Sequence, residues 1–244
     1  MNFKKTKQLS IIILIVIFAC GKTAAQTKQA WRCGANAIAT FNGSTLSISG
    51  EGRLNNFGTW GENTPWENYR NDIKEVKITG VTSIPPWGFA NCKNLTTVTI
   101  PKTITTIGSN AFSECKGLTS IIIPHGVVSI GARAFTHCTN LTSIKLHNSI
   151  TSIGEYAFGK CSALTSIVIP SGVAEIGNCI FSDCHALTSI TIYRVQPPLL
   201  KGESILNKDA PNFSQCILYV PRGAVEAYKK ADGWKDFGDI REMP

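Results

Sequence analysis

The stretch Leu118-Thr119-Ser120-Ile121-Ile122-Ile123-Pro124, followed by Ile130-Gly131-Ala132-Arg133-Ala134-Phe135-Thr136-His137-Cys138, decides the fold because it returns. Stepping 23 residues in either direction lands on the same chemistry. Cys92, Cys115, Cys138, Cys161 and Cys184 form one column, and Phe89, Phe112, Phe135, Phe158 and Phe181 a second. Leu95, Leu118, Leu141, Leu164 and Leu187 form a third, and Ile84, Ile107, Ile130, Ile153 and Ile176 a fourth. Gly108, Gly131, Gly154 and Gly177 add another. Columns at a fixed period are the mark of a stacked solenoid, in which each copy buries its apolar face against its neighbours.

Within a copy, Leu118-x-x-Ile121-x-Ile123 ends in the in-out-in alternation of a strand. The same reading holds for Leu95/Val98/Ile100, Leu141/Ile144/Leu146, Leu164/Ile167/Ile169 and Leu187/Ile190/Ile192. Ile73/Val76/Ile78 repeats it one rung earlier, with one residue fewer before the next strand. One strand per coil, stacked in register, predicts a parallel sheet along one side. Pro101, Pro124 and Pro170 follow the strand and end its ladder. His147 and Tyr193 stand in that column in the other two copies. The recurring Ile-Gly-x-x-Ala-Phe-x-x-Cys fits the return side. Phe112 and Cys115, three apart, suit one face of a short helical turn. The glycine column points to a φ that other residues resist.

A solenoid needs covers at its ends. At the N-terminal end we expect a β cap over residues 26–72. Phe41-Asn42-Gly43-Ser44 sits there between alternating runs and reads as a hairpin, with bulk from Trp60, Trp66 and Tyr69. Repeats are expected over 73–194 and a second cap over 195–244. Pro197-Pro198 breaks the period there, Leu218 to Val220 reads as a closing strand, and Ala224 to Ala231 as a short helix ended by Gly233. Trp234, Phe237 and Ile240 are placed to cover the last rung.

The first 25 residues read as an export signal. Lys4, Lys5 and Lys7 precede an apolar run from Leu9 to Ala19, too short to span a bilayer. Two cleavage readings stay open. Thr23-Ala24-Ala25 before Gln26 suits a small-residue peptidase site. Ile17-Phe18-Ala19-Cys20 resembles a lipobox and would make Cys20 a lipidated residue and the only membrane contact. Removing four lysines from a net charge of +8 leaves a mature chain near +4 with no long basic run, which argues against nucleic acid as a partner.

The repeat motifs quoted above resemble the BspA-like, or Treponema-type, leucine-rich repeats of bacterial surface proteins, over about residues 73–192. Cys33-Gly34, Leu46 to Gly52 and Pro65-Trp66 resemble the segment that precedes such repeats, and Leu218 to Pro221 with Gly233 to Phe237 the segment that closes them. The asparagine or cysteine expected eight residues after the first leucine is Thr103, Gly126, Ser149 or Gly172 here, and the cysteine column precedes the strand instead. That departure favours the bacterial variant over the animal or plant type. The fold class expected is therefore an α/β repeat solenoid, a right-handed leucine-rich-repeat superhelix with 23-residue repeats and a cap at each end.

Chemistry is sparse. Neither a metal-ligand spacing nor a phosphate-binding glycine loop occurs, so neither a catalytic residue nor a cofactor is expected. Adjacent rungs about 4.8 Å apart would let the column cysteines approach, but their parallel side chains suit buried thiols better than bridges. Cys33, Cys179 and Cys216 lie outside the column, and a Cys179–Cys216 bridge stays open. His137-Cys138 and Cys184-His185 are neighbours in sequence only.

The outward sheet columns are the candidate site. They are Thr97/Ser120/Ser143/Ser166/Ser189, then Thr99/Ile122/Lys145/Val168/Thr191, then the column ending in His147, Pro170 and Tyr193. We expect a protein or glycan partner on Thr99, Ile122, Lys145, His147, Val168, Thr191 and Tyr193. The plain counter-reading is that threonine and serine are good exposed strand formers. An alternative is a carbohydrate site at Trp60, Trp66 and Tyr69, with Glu62, Glu67 and Asp72 close in sequence. Its counter-reading is a cap with a solvated rim.

Overall fold

The computed structural model describes residues 29–58, 64–206 and 215–244. The chain enters through an antiparallel hairpin, β1 (Gln29–Phe41) and β2 (Thr45–Leu54). Its turn is the expected Asn42-Gly43 pair: Gly43 sits at φ 93°, and Asn42 Oδ1 accepts from the Thr45 amide at 2.8 Å. β2 runs parallel to β3 (Glu75–Ile84).

Each later coil contributes two strands. They are β4 (Thr97–Thr99) with β5 (Thr106–Ile107), β6 (Ser120–Ile122) with β7 (Ser129–Ile130), and β8 (Ser143–Lys145) with β9 (Ser152–Ile153). Then come β10 (Ser166–Ile169) with β11 (Glu175–Gly177), and β12 (Ser189–Ile192) with β13 (Leu199–Lys201). The first members lie on the expected sheet face, but their pairing comes in three separate pieces, β3–β4, β6–β8 and β10–β12; registers such as Ile121↔Ile144 and Ile167↔Ile190 join residues 23 apart. The second members build a second parallel wall, Thr106↔Ser129↔Ser152↔Glu175↔Leu199, where one strand per coil was expected. β3 feeds both walls, pairing β4 through Glu75–Lys77 and β5 through Ser83–Ile84.

The return side is not helical. Among the described residues the one α-helix is α1 (Val225–Lys230), outside the repeats. In the coils, alternate amides serve two purposes. Ala111, Ser113 and Cys115 donate within their own turn to Gly108, Asn110 and Phe112, while Asn110, Phe112 and Glu114 donate to Ala132, Ala134 and Thr136 of the next coil. A continuous helix would direct every amide inward along its own axis. Here half the donors hold the stack together instead.

Positive φ also falls elsewhere than expected. It belongs to two columns of ordinary residues: Trp87, Asn110, Arg133, Tyr156 and Cys179, and Asn91, Glu114, His137, Lys160 and Asp183. Each of Asn110 and Glu114 occupies the third position of a turn closed three residues apart, where type II geometry demands it. The Gly131, Gly154 and Gly177 column has another cause. A Cβ on Gly154 would lie 2.4 Å from the Ala132 amide nitrogen of the coil below.

Inside, the columns become stacks. Phe89, Phe112, Phe135, Phe158 and Phe181 lie face to face, with centroids 5.3–5.8 Å apart. Trp66, 23 residues before Phe89, starts that stack at 5.8 Å. Beyond Pro197-Pro198 the stacking continues with one inserted residue, Ile176 pairing Leu200, and the Phe181 amide donates to Ile205 O. The expected closing strand is β14 (Ile217–Val220), parallel to β12. A further strand, β15 (Asp239–Glu242), parallel to β14, carries Ile240. Trp234 is buried and donates from Nε1 to Pro198 O at 3.1 Å.

Candidate functional site

The alternation of each face strand directs its middle residue inward and its ends outward. Ile121, Ile144, Ile167 and Ile190 are buried, while Thr99, Ile122, Lys145 and Val168 are exposed and Thr191 is half-buried. Ile122 is 67% exposed, Val168 46% and Tyr193 54%, values that leave apolar surface on three coils of one face. Ile122 pairs with Lys145, and Val168 with Thr191, which pairs in turn with Tyr219. All seven sequence-nominated residues therefore lie along one wall.

The hydroxyls sort by column. Thr96, Thr142 and Thr188 donate to the carbonyls of Lys74, Thr119 and Thr165 one coil below, at 3.0–3.1 Å. That column serves the stack. The next, Ser120, Ser143 and Ser166, is exposed. At the C-terminal end the wall opens into a cleft of about 760 Å³ lined by Thr191, Tyr193, Tyr219, Pro221, Arg222 and Glu242, among others. The sequence reading missed Tyr219 and Arg222, which lie outside the repeat; the alternation of Leu218-Tyr219-Val220 is the signal that would have placed Tyr219 outward.

His147 turns toward His125 of the preceding coil. Their Nδ1 atoms are 2.8 Å apart and their ring centroids 4.3 Å, and both side chains are exposed. The other two histidines do not meet the cysteines beside them. Cys138 and Cys184 are buried and donate from Sγ to the carbonyls of Phe112 and Phe158. His137 faces Glu114 at 3.5 Å, and His185 is exposed. Burial pushes the Cys92, Cys138 and Cys184 thiols up to about 12, and Cys115 and Cys161 well above the ordinary range. A protonated, enclosed thiol is a poor nucleophile. Cys179 and Cys216 are separate free thiols: Cys216 is buried beside Cys184, and Cys179 is half-buried against Tyr156.

The alternative sugar site is not assembled as expected. Trp66 is fully buried in the phenylalanine stack and donates from Nε1 to Gly88 O at 2.9 Å, so its ring has no face for a sugar. Tyr69 packs on Trp31 and Phe41 with centroids 5.7 and 5.1 Å away. Trp60 and Glu62 lie outside the described residues, as do the export segment 1–25 and Cys20. Among the described residues no helix is long and apolar enough to cross a membrane, and no group of three or more His, Cys, Asp or Glu is placed to hold a metal.

A family model described as the BspA type leucine rich repeat region matches residues 68–195 in six copies. Among solved structures, the chain is similar to the leucine rich repeat protein of T. pallidum, with a TM-score of 0.50 and 23% identity over 61% of this chain and 77% of that one. A leucine rich cell surface protein of Faecalibacterium prausnitzii matches with a TM-score of 0.45 and 23% identity, over 85% of this chain and 71% of that one. A leucine-rich repeat protein of Bacteroides ovatus matches at 0.46 and 15%, over 97% and 77%. No curated protein matches.

Proposed function

The chain belongs to the BspA-type leucine-rich-repeat family, and from that premise we propose that it is a non-enzymatic, exported interaction protein that binds a protein partner through its sheet face. The observation that carries this reading is the run of exposed Ile122, Lys145, Val168 and Tyr193 on successive coils of one wall. Solenoids bind along extended surfaces of this kind. Exposed apolar side chains beside Lys145 suit contact with a protein more than turnover of a small substrate. The buried thiols of the cysteine column speak against cysteine chemistry there.

The face reading is tested by pairing Lys145→Ala with Tyr193→Ala. A partner recovered from an envelope or host-matrix extract should bind the double variant at least about tenfold more weakly, since a buried aromatic anchor is worth more than 1 kcal/mol. Unchanged affinity rejects this face. Export rests on the lysines before the Leu9 to Ala19 run, and the mass of the mature N-terminus tests it. A chain starting at Gln26 means free secretion, an acylated Cys20 means a surface lipid anchor, and an intact Met1 rejects export.

A further inference from the structure

We propose that His125 and His147 form a two-imidazole chelate for a divalent transition metal, Cu²⁺ above all, on the rim of the sheet face. The proposal stands whether or not a partner docks on that face. Its first support is the distance between the facing nitrogens. Metal–imidazole bonds of about 2.0–2.1 Å place two cis ligands about 2.9 Å apart at a right angle and about 3.3 Å apart at the tetrahedral angle. The Nδ1 atoms stand at 2.8 Å, which fits the right angle. Right angles belong to square and tetragonal sites, the geometry of Cu²⁺ and Ni²⁺, and Cu²⁺ leads the affinity order for nitrogen ligands.

Preorganisation is the second support. Two hydrogen bonds tie the coils together beside the rings, and a third closes the turn that carries His147. The Ile123 amide donates to Lys145 O at 2.9 Å, the Gly126 amide to Ser149 Oγ at 3.3 Å, and the Ile150 amide to His147 O at 3.1 Å. The two rings therefore meet without a loop having to be ordered first. At this distance one ring donates its Nδ1–H to the Nδ1 lone pair of the other; on metal binding that proton would move to Nε2 of its own ring, leaving two neutral imidazoles with both Nδ1 lone pairs free for the ion.

The surroundings define the rest of the site. Among the described residues no third His, Cys, Asp or Glu joins the pair, so the chain supplies two positions and leaves the others to water or to an incoming ligand. Lys145, two residues from His147 and in register with Ile122, places a cation nearby. That charge disfavours a bare dication and favours an anionic group, such as a carboxylate, in the open positions.

Untagged chain titrated with CuSO₄ at pH 7.5 should bind one equivalent, giving an axial electron paramagnetic resonance spectrum with hyperfine structure from two nitrogens. ZnCl₂ should bind more weakly. His125→Gln and His147→Gln should each lower Cu²⁺ affinity at least about tenfold, with the thermal transition unmoved because both rings are exposed. Copper binding that survives in the double variant lies elsewhere, at His137, His185 or the terminal amine, and overturns the proposal. So does a spectrum with one nitrogen, or no binding at 1 mM copper, on the order of the weakest affinity worth calling a site. Partner affinity is not read in this experiment, so its failure leaves the partner-binding reading untouched.

Discussion

The packed columns of the turn side and the outward column of the sheet face carry opposite kinds of sequence. On the turn side the same residues recur: Gly131, Gly154 and Gly177, then Ala134 and Ala157, then the Phe and Cys columns. On the face one outward column runs Thr99, Ile122, Lys145, Val168, Thr191. The difference is steric. A Cβ at Gly177 would sit 2.3 Å from the Glu155 amide nitrogen, whereas the side chains of the face column project into open space. Repetition here reports how closely coils must approach. Variation marks where the stack makes no demand, and so where a binding function has room.

The largest expected effect loads the interior of the turn side through pH. The five column thiols are held protonated by burial, with Cys92, Cys138 and Cys184 up to about 12, while unfolded thiols ionise near 8.5. Their folded values are raised, so the stability they contribute is complete below the unfolded value and falls as pH climbs toward the folded one. Above about pH 9 each thiol withdraws about 1.4 kcal/mol per pH unit. Urea midpoints measured at pH 8 and pH 10 should fall steeply, and Cys138→Ala should flatten the fall by one thiol's share. A midpoint that holds at pH 10 would mean the ladder is open to water.

Next comes a contrast between sides. Phe135, stacked 5.3 Å from Phe112 and 5.8 Å from Phe158, should cost about 3–5 kcal/mol when cut to alanine. Ile122→Ala, on the face, should stay within about 0.5 kcal/mol. Comparable losses from the two would erase the distinction between stack and face. Glycine sharpens it further. Gly154→Ala, with φ ordinary but backbone 2.4 Å away, should destabilise by about 2 kcal/mol. Gly223→Ala, at φ 78° with nothing near, should cost only the left-handed penalty of about 1 kcal/mol. Thermal unfolding followed by circular dichroism orders the two; the reverse order would return the glycine column to a φ explanation.

These contrasts explain what could be read in advance. The inward columns were legible because a fixed period exposes every buried position at once. The second wall was not, since Ser129-Ile130 and its equivalents are only two or three residues long, too short to show an alternation. Positive φ was assigned to glycine because Arg133, Tyr156 and Lys160 do not advertise it. β15 was missed because Asp239-Ile240-Arg241-Glu242 has the charged character that protects an open sheet edge and hides a strand from a hydrophobic pattern. Trp66 stands 23 residues before Phe89, but one residue more between Tyr69 and Ile73 than between Cys92 and Leu95 disguised its place in the stack. The candidate face was legible as a set of outward columns. His125 was not, because it belongs to no column and meets His147 only once the coils are stacked.

The smallest expected effect is the one on which the functional reading depends. Lys145 and Tyr193 lie outward on different coils, and Lys145 takes part in no ion pair among the described residues. Removing both side chains should therefore shift stability by no more than about 0.5 kcal/mol, since neither opens a cavity nor strands a buried polar group. Tyr193 is the stricter half of the test. Its amide donates to Ile169 O at 3.1 Å, a backbone bond that alanine keeps, while its ring is 54% exposed and lines the cleft beside Tyr219. A double variant that melts with the wild type but no longer holds a partner assigns the loss to the face. A double variant that melts several degrees lower would make Tyr193 part of the C-terminal closure, and the partner-binding surface would then have to be sought among Thr99, Ile122 and Val168 instead.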